Sequence, residues 1–150
     1  MSRKYPVRPI VGVGVVIFNN QNVLLARRGN PPHQNELSLP GGAQKIGETI
    51  LDAAKREVFE ETQLQVKIHA IIDVVDSIER DPNGKVIYHY TLIDVLASAV
   101  GSTIPVAASD VTEAIWVKLD DISSLTIWSE TVRIINIAAQ MRKNFRDFSI

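Results

Sequence analysis

From Ile10 to Phe18 the chain runs Ile-Val-Gly-Val-Gly-Val-Val-Ile-Phe, apolar at odd and even positions alike, which predicts a strand buried on both faces at the centre of a sheet. Gly12 and Gly14 fall on one face of that strand, so either a packed element or a ligand comes close there. Asn19-Asn20-Gln21-Asn22 reads as a turn and Val23 to Ala26 as the returning strand of a hairpin. Leu37-Ser38-Leu39 alternates and leads through Pro40 into a Gly41-Gly42 turn. From Thr49 to Leu64 the period becomes helical, with Ile50, Leu51, Ala54, Val58 and Phe59 spaced to face a core. Val66 to Glu79 and Lys85 to Ala99 predict a long hairpin, its first arm straight or bulged, closed by the turn residues Asp81-Pro82-Asn83-Gly84. Gly101 to Thr112 is a polar loop, Ala114 to Val117 a strand, and Leu119 to Ile122 a short turn of helix. Trp128 to Lys143 predicts a final helix with Ile134, Ile135, Ile137, Ala138 and Met141 inward and Arg133, Gln140, Arg142 and Lys143 outward; Phe145 to Ile150 reads as a tail. Strands interleaved with two main helices predict an α/β fold, a mixed β-sheet between helices.

Composition narrows the function more than the fold. The 150 residues predict one domain, 1–150, with 45% hydrophobic and 22% charged residues, as in a soluble globular protein. A net charge of −1 argues against nucleic acid as partner, which would need a basic footprint. The chain has no cysteine, so disulfides, thiolate nucleophiles and Cys-ligated zinc drop out. The apolar run 11–18 is too short and too rich in glycine for a signal segment or a membrane span, and the expected location is cytoplasmic.

The chemistry concentrates in one stretch. On a helix Glu57, Glu60 and Glu61 lie at i, i+3 and i+4 and share a face, where their charges repel by about 0.2–0.5 kcal/mol per pair. A hard divalent cation turns that repulsion into coordination. An isolated Glu-x-x-Glu-Glu is more often a solvated acidic face; here the preceding Gly-Gly turn and the Arg56-Glu57 pair favour a metal site. Arg56 reads as structural, its fork suited to hold a carboxylate such as that of Glu60. Arg27 and Arg28 end a strand and point to opposite faces, so one of them can face a cleft and bind phosphate.

Gly42, then Glu48, then Arg56-Glu57-Val58-Phe59-Glu60-Glu61 and Gln63-Leu64 resembles the signature of the Nudix hydrolase family. One position departs: Gln63 stands where the family has a glycine that eases the helix out through a left-handed conformation. The resemblance implies a Nudix α/β/α sandwich and a metal-dependent hydrolase of diphosphate linkages. It implies Mg²⁺ or Mn²⁺, two to three ions, held by the Gly41 carbonyl, Glu57, Glu60 and Glu61. Either Glu57 or Glu48 would be the general base, and Gly42 and Arg56 would be structural. It further implies phosphate contacts from Arg28 and His33, and an extra acid from Asp110 or Glu113 that ligates metal or reads the base; solvated loop acids are the alternative for both. The expected substrate is a nucleoside diphosphate derivative, ADP-ribose favoured, with a nucleoside triphosphate or a non-catalytic nucleotide-binding module as alternatives. A homodimer is compatible with the pattern, through the final helix or the long hairpin.

Overall fold

The computed structural model describes residues 3–148. A seven-stranded mixed sheet is built from β1 (Ile10–Asn19), β2 (Asn22–Arg28), β3 (Leu37–Ser38), β4 (Gly41–Ala43), β5 (Gln65–Arg80), β6 (Val86–Val100) and β7 (Val111–Lys118). The order β3-β2-β1-β6-β5 is extended by β4 on β1 and β7 on β2. Helices α1 (Ile50–Thr62) and α2 (Ser129–Met141) cover opposite faces.

Strand alternation assigns the layers. Val13, Val15 and Ile17 turn toward Ala53, Ala54 and Val58 of α1, whereas Val16 and Phe18 turn toward Ile134, Ile135 and Ala138 of α2. The α/β/α sandwich is thus the observed fold. The first strand, β1, is parallel to β6 along nearly its whole length. Its hairpin with β2 is short, pairing only Phe18 with Val23 and Asn19 with Asn22. Over its first half β1 pairs instead with β4, Gly14 opposite Gly41 and Gly12 opposite Ala43. The sheet therefore splits between β2 and β4, and the functional side chains gather around that split.

Several expectations need correction. The Gly41-Gly42 pair is not a turn but most of strand β4, because it runs antiparallel to β1 with Gly42 opposite Val13 and Gly41 opposite Gly14. Leu51 and Phe59 are 46% and 45% exposed: the buried stripe of α1 is Ala54, Val58 and Thr62 with Ala53 beside it. Phe59 lies about 100° round from Val58, and Leu51 precedes the stripe. Arg142 is buried rather than outward, since α2 ends at Met141 and a 3₁₀ turn (Arg142–Asn144) swings its guanidinium over the Phe18 ring and onto the Asn20 carbonyl and Gln21 amide. The last strand starts at Val111, so Glu113 lies within β7. The expected tail packs as far as Phe148: Phe145 and Phe148 stack on His69, whose ring bonds Ser98 at 2.7 Å; residues 149–150 lie outside the described residues. Of the two forms open to the first arm of the long hairpin, the bulged one is present: the β5–β6 register shifts at His69 and Ile72 of β5, and once more at Ile87 of β6. Among the described residues no helix is long and apolar enough to cross a membrane.

Candidate functional site

Helix α1 begins at Thr49, whose hydroxyl accepts from the Asp52 amide, and ends at Gln63 in the left-handed conformation with φ 63°. Between these caps the helix presents its acids to β4. The strand can lie this close to its neighbours on both sides because two of its three residues are glycine: a Cβ on Gly41 would collide with the Val13 carbonyl of β1, and one on Gly42 would sit 2.5 Å from the Glu57 carboxylate of α1. Glycine at these two positions is a requirement of contact, not of turning.

Arg56 organises the acids. Its Nε and Nη2 donate to the two oxygens of Glu48 at 2.6 and 2.9 Å, a bidentate fork. Its Nη1 donates to Glu57 at 2.8 Å and to Glu60 at 3.2 Å, and Nη2 also reaches the Ala43 carbonyl at 3.0 Å. Glu48, not Glu60, is thus its main partner. Arg56 hydrogen bonding, helped by the Lys45 amide, holds the Glu48 carboxyl down at about 2.

Glu61 has the opposite character. Burial pushes its carboxyl up to about 7; the Gly41 amide, donating at 2.8 Å, opposes this, while the charges of Glu57 and Asp110 add to it. Among the described residues no three acids yet converge as a ready metal cage, because Glu57 and Glu60 lean on Arg56 and Glu61 on Gly41. The donor set nevertheless fits a hard cation. It is all oxygen, it is acidic, and Glu61 is buried among like charges with too little positive charge to offset them.

These acids line a cleft together with Arg28, Asn30 and Asp110. Arg28 enters it with Nε spent on the Pro32 carbonyl at 2.7 Å and its terminal amino groups without partners among the described residues. Asp110 sits at the rim, accepting from Asn30 at 3.1 Å. Glu113 is not brought there: it pairs with Arg27 at 3.1 Å, across the β2–β7 ladder. His33 is held between Glu36 and Glu79 on a neighbouring cleft.

That second cleft, of about 410 Å³, was not foreseen. It opens on the α2 side of the sheet, lined by Leu39, Tyr90, Leu92, Asp94, Ile127 and Trp128. The two clefts share Arg28 and β4. The one signal in the sequence was the pair Gly12 and Gly14 on a single face of β1, since both line this cleft and remove side chains that would fill it.

A glycine strand against an acidic helix gathered by one arginine matches an established pattern. The family model of the NUDIX domain matches residues 8–136. The chain belongs to the Nudix family. It is similar to an ADP-ribose pyrophosphatase of Methanocaldococcus jannaschii, 32% identical over 126 residues that span 84% of this chain and 72% of the relative. Among solved structures, a MutT NUDIX hydrolase from Burkholderia pseudomallei superposes with a TM-score of 0.73 at 27% identity, covering 86% of this chain and 97% of that one. The NUDIX domain of Shewanella oneidensis NrtR, solved with ADP ribose, shares the fold with a TM-score of 0.71 at 20% identity, covering 89% and 88%. This Nudix protein is an enzyme acting on pyrophosphate bonds, and Nudix hydrolases use divalent metals.

Proposed function

We propose that the enzyme hydrolyses the diphosphate linkage of ADP-ribose or a closely similar nucleoside diphosphate derivative. The observation that carries this reading is the joining of two unlike clefts at β4, one acidic and suited to cation-bound phosphates, the other apolar and sized for a nucleoside. The 32% identity to an ADP-ribose pyrophosphatase supports the choice of substrate.

Glu57, Glu60, Glu61 and the Gly41 carbonyl would hold Mg²⁺ or Mn²⁺, two to three ions, with Asp110 at the rim. When bound, such ions supply charge neutralisation on the diphosphate and an activated water. Arg28 clamps a phosphate oxygen with its unengaged amino groups and fixes the reacting geometry. Of the two candidate bases, Glu48 is a positioning residue: Arg56 and the Lys45 amide occupy its oxygens and its proton affinity is low. Glu57 takes the water's proton, its carboxylate lying against the bare backbone of Gly42.

A screen of nucleotides with Mg²⁺ and product identification tests the reading. AMP plus a sugar phosphate is the expected result from ADP-ribose, with turnover abolished in Glu57→Gln and Glu61→Gln proteins that keep a native melting profile. A nucleoside monophosphate plus pyrophosphate would move the substrate to triphosphates. No turnover across the panel would reduce the fold to a binding module.

A further inference from the structure

Among the polar groups that line the apolar cleft, one buried carboxylate, that of Asp94, is not used by the metal chemistry. Asp94 is 5% exposed, in β6, and its carboxylate accepts no hydrogen bond among the described residues. Its neighbours explain why. On one side β1 presents Gly14, and a Cβ there would overlap the Asp94 Oδ1. On the other β5 presents Asp73, another acceptor. The nearby cation, Arg133 of α2, is committed to Asp73 at 3.0 Å and to Glu130 at 2.6 Å. A buried carboxylate without a donor costs stability, so its position is one that a ligand can complete.

The surroundings define that ligand. Tyr90, Leu92, Leu39, Ile127 and Trp128 give the cleft apolar and aromatic walls, suited to a planar heterocycle, and the acceptor-only carboxylate of Asp94 calls for an N–H donor. Through Arg28 and β4 the cleft adjoins the acidic one, so a nucleotide with its phosphates there extends its base toward Asp94.

Resting on the proposed nucleotide hydrolase reading, we infer that Asp94 is the specificity-determining residue for the base: it accepts a hydrogen bond from the exocyclic amino group of an amino-bearing nucleobase lying against Trp128. Gly14 is then the residue that makes room for this acceptor, and the enzyme discriminates against bases that lack the amino donor.

The test uses nucleosides, without phosphate or metal, so that it reads base recognition separately from hydrolysis. Adenosine and purine riboside, the same nucleoside lacking the 6-amino group, are titrated into the full chain by NMR. Adenosine binds at least about tenfold more tightly, as expected for one hydrogen bond to a charged acceptor in an apolar cleft. In Asp94→Val, a β-branched replacement suited to a strand, the ratio falls close to one and the melting temperature rises, because an unpaired buried charge is gone. In Trp128→Ala both nucleosides weaken together and the ratio stays. Equal affinities in the wild type, or an unchanged ratio in Asp94→Val, would overturn the assignment; so would a Trp128→Ala protein that binds both as before. Should Asp94→Val fail to fold, the wild-type ratio and Trp128→Ala still decide. Failure of the hydrolase reading would show differently, as absent ADP-ribose turnover beside intact adenosine discrimination.

Discussion

Arg56 carries more of the site than any single acid. It meets Glu48, Glu57, Glu60 and the Ala43 carbonyl with three nitrogens held in one plane. A lysine keeps the charge but offers one tetrahedral donor group, which cannot hold Glu48 bidentately and reach Glu57 as well. Arg56→Lys is therefore expected to lower kcat/KM by about 10–100-fold, the usual cost of losing a partner behind metal ligands, while the circular dichroism spectrum stays native. Glu61 yields a second expectation. Its folded carboxyl stands at about 7 against an ordinary 4.5, so the folded state holds the proton more tightly than the unfolded chain. Its contribution is fully present below about 4.5 and is lost as pH rises through about 7, worth about 3 kcal/mol at most. The metal-free protein should melt at a lower temperature at pH 8 than at pH 5, and Glu61→Gln should flatten that slope. Asp94, raised to about 6 mainly by burial, adds in the same direction. Glu48, lowered to about 2, acts oppositely: its support is present above 4.5 and is lost only in acid, as pH falls through about 2. What was readable at this scale was what is local. The spacing of Glu57, Glu60 and Glu61 is a property of one helix, whereas Asp94 is one acid inside Leu-Ile-Asp-Val-Leu, and its isolation depends on which residues β1 and β5 place beside it.

At the scale of elements, helix α1 shows both the reach and the limit of pattern. Its extent was legible to within two residues, the predicted 49–64 against Ile50–Thr62 with Thr49 and Gln63 as caps, and Gln63 adopts the left-handed conformation of the glycine it replaces. A non-glycine residue pays for φ 63° in steric strain, and the Gln63 side chain returns only an exposed bond to the Phe59 carbonyl at 3.2 Å. Gln63→Gly should thus stabilise the protein by about 0.5–1 kcal/mol in denaturant titration, with kcat/KM unchanged. The pairing of elements was less legible. Gly-Gly has turn chemistry in isolation, and only the splaying of β2 away from β1 opens the edge that recruits Gly41 and Gly42 as a strand. Arg142 went astray for a related reason, because a change from α-helix to 3₁₀ turn rotates the side chain off the face that periodicity assigns it.

For the molecule as a whole, the sandwich places the acidic cleft under α1 and the apolar cleft under α2, with β4 between them. The acidic side is a load on the fold until positive charge reaches it, and two kinds are available, a proton on Glu61 or a divalent cation among the carboxylates. They compete for the same oxygens, which makes the stabilisation by metal depend on pH. At pH 5 the folded protein already holds the proton, so a cation must displace it and gains little. At pH 8 the proton is gone, the carboxylates repel one another, and the cation meets no competitor. Mg²⁺ at a hundred times its dissociation constant is worth about 2.7 kcal/mol where binding is confined to the folded state. The rise in melting temperature on adding Mg²⁺ to chelator-treated protein should accordingly be several degrees at pH 8, much smaller at pH 5, and in Glu61→Gln both smaller and nearly independent of pH. Equal shifts at the two pH values in the wild type would mean that cations bind elsewhere than on Glu61.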